Sequence, residues 1–120
     1  YYGVYDLLDR HGIRDVWPIL SLALIKADPA TEPEKFHLGS PIDHIGDGAP
    51  PMLVVHGVSD SLVPVEESEY FTRALEEGSP SPAIFVPVPG ATHAFDAVPS
   101  LRTQNVVAGT AAWLEAAVRR

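Results

Sequence analysis

The 120 residues contain no cysteine. That absence excludes a disulfide framework, a thiolate metal site and a cysteine nucleophile, and leaves the cellular compartment open. Long apolar runs are missing too. The most apolar stretch, Ile19 to Ile25, is interrupted by Ser21, whereas a membrane-spanning helix needs about 20 apolar residues. No membrane span is expected. Positive charge is scarce: eight Lys and Arg stand against sixteen Asp and Glu, a net charge of −8. Nucleic acids and anionic membranes are bound through clustered positive charge, so neither is an expected partner. The single basic pair, Arg119-Arg120, suits a solvated helix end. Residue 1 is tyrosine and no charged-then-apolar leader follows it, so the chain reads as one entered partway through.

Apolar residues make up 46% of the sequence, enough for the core of one domain. The stretch Pro51 to Pro64, PMLVVHGVSDSLVP, organises the rest. Met52 to Val55 form a short apolar run bounded by turn residues, the pattern of a strand buried on both faces. It delivers Asp60 to the loop at its carboxyl end, where groups held by a rigid sheet stay accessible. Pro64 can occupy a first helical position without an N–H, and Glu66, Glu67 and Glu69 suit the positive end of a helix dipole. Tyr70, Phe71, Ala74 and Leu75 supply a buried stripe, and Gly78 ends the helix predicted over 64–77. Ala83 to Val88 predicts a second strand, placed near a sheet edge by Pro87. Val107, Ala111, Leu114 and Val118, with Thr110 and Ala117 beside them, predict a long C-terminal helix.

The first half is less regular. Tyr1 to Tyr5 is β-prone and reads as the tail of a strand. The spacing of Val16, Ile19, Leu20, Ala23 and Leu24 predicts a helix from about Pro18 to Lys26. Ala27 to Pro51 is a polar, proline-rich passage with room for a short helix around Glu34 to His37. Strands alternating with helices argue the α/β class, with parallel strands and flanking helices. There is no internal repeat.

Asp60 and His93 each stand just beyond the carboxyl end of a strand, and one helix connects the two strands, so their loops can meet. An aspartate accepting from one imidazole nitrogen fixes the tautomer and stabilises the imidazolium formed when the other nitrogen takes a proton. Together they are two thirds of an acyl-transfer triad, with the acid preceding the histidine.

At these residues the chain resembles the α/β-hydrolase family, in particular carboxylesterases and lipases of the hormone-sensitive-lipase and acetyl-esterase type. The resemblance lies in Ser40-Pro41-Ile42, Pro50-Pro51, His56-Gly57 with Asp60, Val63-Pro64, and the GATHAF stretch from Gly90 to Phe95. It implies that residues 1–120 are the C-terminal part of an α/β-hydrolase domain with an incomplete sheet. Residues 15–41 would be a cap- or lid-side segment, and 51–120 a strand-helix-strand-helix unit. It further implies Asp60 as triad acid, His93 as general base, a small-molecule ester as substrate and no cofactor. Tyr1 to Tyr5 would end the strand that follows the nucleophile helix. Prolyl-oligopeptidase-like serine peptidases look similar at the same residues.

The family's GxSxG elbow and HGGG-type oxyanion motif are absent from these residues. The implied expectation is that both lie upstream and that the 120 residues alone do not catalyse. Two stretches imitate them. Gly57-Val58-Ser59-Asp60-Ser61 departs from the elbow at Ser61, and its acid would be the immediate neighbour of Ser59. His56-Gly57 lacks the following glycines, which favours a structural His56 at the strand end. Asp43, His44 and Asp47 are close in sequence but lack the helical histidine spacing of zinc enzymes. A phospho-accepting Asp60 would want a lysine at a later strand end, and the lysines are Lys26 and Lys35. The rival to an esterase is a non-catalytic hydrolase-fold module, held to a missing N-terminal portion or to a second copy through an open sheet edge.

Overall fold

The computed structural model describes residues 3–13, 23 and 25–119. Among them the regular elements are α1 (Pro33–Gly39), a 3₁₀ turn (Pro41–His44), β1 (Met52–Gly57), α2 (Val65–Gly78), β2 (Ala83–Val88), a second 3₁₀ turn (Phe95–Ala97) and α3 (Leu101–Val118). β1 and β2 pair in parallel from Met52 opposite Ala83 to Gly57 opposite Val88. The expected α/β architecture is thus present as a two-stranded open parallel sheet with flanking helices.

The apolar run of β1 is continuous because both of its faces are covered. Val54 joins Phe71 and Leu75 of α2 in one cluster, with Tyr5, Ile42, Ile45 and Phe85 packed around it. Val55, one residue on, joins Val88, Ala91 and Phe95 in the other cluster, with Leu53 and Val106 alongside. Alternation of side chains along a strand produces this division.

The start of α2 differs from the expectation by one residue. Pro64, at φ −57° and ψ 140°, is the N-cap rather than the first helical residue, and Gly78 is included before Ser79 ends the helix. Glu67, expected at the positive end of the helix dipole, is buried, as is Ser68 beside it. Glu67 there accepts the Tyr5 backbone N–H at 3.4 Å.

Gly3 to Tyr5 do not form a strand. Tyr5 instead lies flat on Phe71, ring centroids 4.2 Å apart and planes within 3°, while its carbonyl accepts from Ile42 N–H at 3.1 Å. Aromatic β-propensity yields here to stacking on a helix, because propensity mostly reflects packing against neighbours. Ser40 fastens the same segment. Its Oγ donates to the Phe36 carbonyl at 2.7 Å and accepts Leu7 N–H at 2.8 Å. Of the helix predicted over 18–26, all but 23, 25 and 26 lies outside the described residues. The short helix expected around Glu34 to His37 is α1, with Phe36 fully buried.

α3 begins at Ser100, whose Oγ accepts Thr103 N–H at 3.1 Å and so satisfies an orphan donor of the first turn. The face it turns inward is not the expected one. Val107, Leu114 and Val118 are 51%, 50% and 84% exposed, whereas Thr103, Val106, Thr110, Trp113 and Ala117 are partly covered. Both stripes have helical spacing, and only packing decides between them. Between α3 and the sheet lies a cleft of about 400 Å³, lined by Leu53, Val55, Ile84, Val86, Val106 and Trp113 among others. No described helix is long and apolar enough to cross a membrane.

Candidate active site

β1 ends in a turn that drives the chain against the loop after β2. Val58 N–H donates to the Val88 carbonyl at 3.0 Å and Ser59 N–H to the Ala91 carbonyl at 2.9 Å. The approach needs Gly57. A Cβ at that position would lie 2.4 Å from the Ala91 carbonyl oxygen and 2.8 Å from its carbon. Glycine is used where backbone must meet backbone. On the other side, Gly90 at φ +64° turns the chain out of β2, and Ala94 at φ +54° follows the histidine in the left-handed region. This is a costly conformation for a residue with a Cβ.

The two predicted residues meet as a result. His93 Nδ1 lies 2.9 Å from Asp60 Oδ2. The aspartate side chain is fully buried and the imidazole 32% exposed. Asp60 Oδ1 accepts two backbone N–H groups, from Leu62 and Val63, each at 2.9 Å. Burial alone would push the Asp60 carboxyl up. The Val63 N–H, the His93 imidazole and the Leu62 N–H outweigh that effect and hold it below the ordinary carboxylate range.

A second histidine reaches the same carboxylate. His56 is wholly buried, and its Nε2 lies 2.9 Å from the Val63 carbonyl and 3.2 Å from Asp60 Oδ2. Both neighbours are acceptors, so Nε2 carries the proton. Nδ1 faces Ser68 Oγ at 2.5 Å. The sequence marks His56 only as structural at a strand end. Its partner Ser68 lies on α2, and nothing in the spacing announces that contact.

The imitators have other duties. Ser59 is exposed at the turn, and His56 is occupied as described. Asp43 pairs with Arg10 Nη1 at 2.8 Å and with His37 Nδ1 at 2.8 Å, and His44 Nε2 lies 3.0 Å from the Leu38 carbonyl. Among the described residues no group of three or more His, Asp or Glu side chains could hold a metal ion.

A buried carboxylate beside a partly exposed imidazole, both just beyond the carboxyl ends of adjacent parallel strands, can orient the imidazole and stabilise its charged form. Known proteins resemble this chain over most of its length. Esterase LipQ of Mycobacterium tuberculosis is 33% identical over 107 residues, covering 88% of this chain and 25% of that protein. Esterase LipC of the same organism is 36% identical over 105 residues, covering 85% and 26%. Among solved structures, the propionate-bound Est2 esterase of Thermogutta terrifontis superposes with a TM-score of 0.66 at 27% identity, covering 89% of this chain and 38% of that one. The fold is that of part of an α/β-hydrolase, similar to carboxylesterases. By the match over residues 1–75, which takes in Asp60 but stops short of His93, the chain belongs to the BD-FAE family. It spans about a quarter of the length of the mycobacterial relatives.

Proposed function

We propose that the protein to which this chain belongs hydrolyses small carboxylic esters by a serine-esterase mechanism, with Asp60 as triad acid and His93 as general base. The 2.9 Å contact between His93 Nδ1 and the buried Asp60 Oδ2 carries the reading. With Nδ1–H donated to the carboxylate, Nε2 holds the lone pair and can take the proton of a serine hydroxyl as its oxygen attacks the ester carbonyl. Asp60 stabilises the imidazolium so formed. Collapse of the tetrahedral adduct expels the alkoxide, which leaves with the proton from Nε2 as a free alcohol. Water, deprotonated by the same nitrogen, then cleaves the acyl-enzyme to acid and regenerated serine. Serine and oxyanion donors are assigned to parts of the protein outside these 120 residues, because no GxSxG or HGGG motif occurs within them. The relatives' names, esterases each, support the substrate class.

The test is turnover of p-nitrophenyl acetate and butyrate by the product of the complete reading frame, by its Asp60→Asn and His93→Ala variants, and by the 120-residue chain. Loss of turnover in both variants is expected, together with inactivity of the short chain. Activity surviving His93→Ala would sink the assignment. Turnover by the short chain would return Ser59 to consideration as nucleophile.

A further inference from the structure

We propose that His56 is a positioning residue for the Asp60–His93 pair, holding the aspartate in the one orientation, and at the one charge density, that the base requires. The inference rests on the esterase reading above and assigns His56 no contact with substrate.

The observation behind it is which oxygen His56 reaches. A buried histidine needing only to be satisfied has enough in the Val63 carbonyl and Ser68. Yet Nε2 also lies 3.2 Å from Asp60 Oδ2, the oxygen that faces His93. Asp60 Oδ1 accepts Leu62 N–H and Val63 N–H, while Oδ2 has His93 Nδ1 at 2.9 Å and His56 Nε2 at 3.2 Å. A carboxylate held on both oxygens cannot turn about its Cβ–Cγ bond without losing bonds in a buried site, where each loss is costly.

The far side of His56 is fixed as well. With the proton on Nε2, Nδ1 accepts from the Ser68 hydroxyl. The titratable groups around these contacts are Tyr5, with Glu67 acting on it from α2, then His56, Asp60 and His93. Burial foremost raises the Tyr5 phenol above its ordinary value, the Ser68 hydroxyl opposing the shift and Glu67 adding to it.

His56 also disperses charge. Its N–H takes up part of the negative charge on Oδ2 that would otherwise act on His93 alone. Without that donor the carboxylate would favour the His93 imidazolium at rest, and the base would be blocked to higher pH.

The experiment is the pH dependence of kcat/KM for p-nitrophenyl acetate in the product of the complete reading frame. His56→Leu is expected to move the acid limb upward by about half to one pH unit and to lower kcat more than it changes KM. His56→Gln, whose amide N–H can reach the Nε2 position, is expected to restore the limb. Ser68→Ala, which frees Nδ1 but keeps the imidazole, is expected to move it in the same direction by less, and it decides the matter if His56→Leu does not fold. A limb that stays in place in His56→Leu and Ser68→Ala, with activity tracking only the folded fraction, overturns the proposal. His93→Ala separates the two readings. If turnover survives it, the esterase assignment falls and this one with it. If turnover is lost but the limb does not move in the other variants, only the role of His56 falls.

Discussion

The carbonyl of Ala91 occupies the space that a side chain on Gly57 would need, 2.4 Å from where its Cβ would stand. The last residue of β1 is thereby pressed against the loop that carries His93, and the separation of the two loop backbones is set by van der Waals contact. Gly57→Ala is expected to push this loop outward and to destabilise the fold by about 1–3 kcal/mol, the usual cost of overpacking a tight contact. Urea unfolding of the full-length protein measures the loss. Turnover should fall further than the folded fraction does, since a shift of about 1 Å at the proposed general base is costly.

Asp60→Asn keeps the shape of the site but replaces an acceptor with an amide that can present N–H to His93 or His56. It is expected to lower kcat by roughly a thousandfold or more, with a much smaller change in KM. Steady-state kinetics on p-nitrophenyl butyrate check both parts.

Acid stability follows from the direction of the Asp60 shift. A folded carboxyl held below its unfolded value, about 3.9, contributes stability that is complete above that pH. The contribution is lost as pH falls through the lower folded value. Asp43 adds in the same sense: burial raises its carboxyl, and Arg10 and His37 more than reverse the effect. Stability should therefore be flat with respect to these two groups near neutrality and decline below about pH 4. In Asp60→Asn that decline should be shallower, as read by thermal melts across an acid series.

Ser100→Ala removes the side-chain acceptor for Thr103 N–H at the start of α3. A loss of about 1 kcal/mol is expected, with the first turn of α3 exchanging its amides faster. Hydrogen exchange at residues 101–104 reports it.

The part of the fold that carries the site was the more legible part. β1, α2 and β2 follow from an apolar run, a Pro-to-Gly helix and a second run carrying Pro87, all local patterns. Their parallel order then brings Asp60 and His93 together without knowledge of a single contact. What could not be read was decided by contacts between distant segments. Tyr5 lies on Phe71, Ser68 turns inward to His56, and α3 covers the sheet with Val106 and Trp113 rather than Val107 and Leu114. Two stripes of equal helical period cannot be told apart until a partner surface exists, and a serine among glutamates gives no sign of being buried.

β1 and β2 are neighbours joined only through α2, so carboxylate and imidazole belong to one continuous supersecondary unit. Their meeting requires closure of one crossover, whose entropic cost is smaller than that of docking parts further apart in sequence. In kinetic terms, the pair should be matched early along the folding route. Substitutions inside the crossover, such as Leu75→Ala in the cluster beneath β1, should then slow refolding, whereas loosening the outer face of α3 should chiefly hasten unfolding.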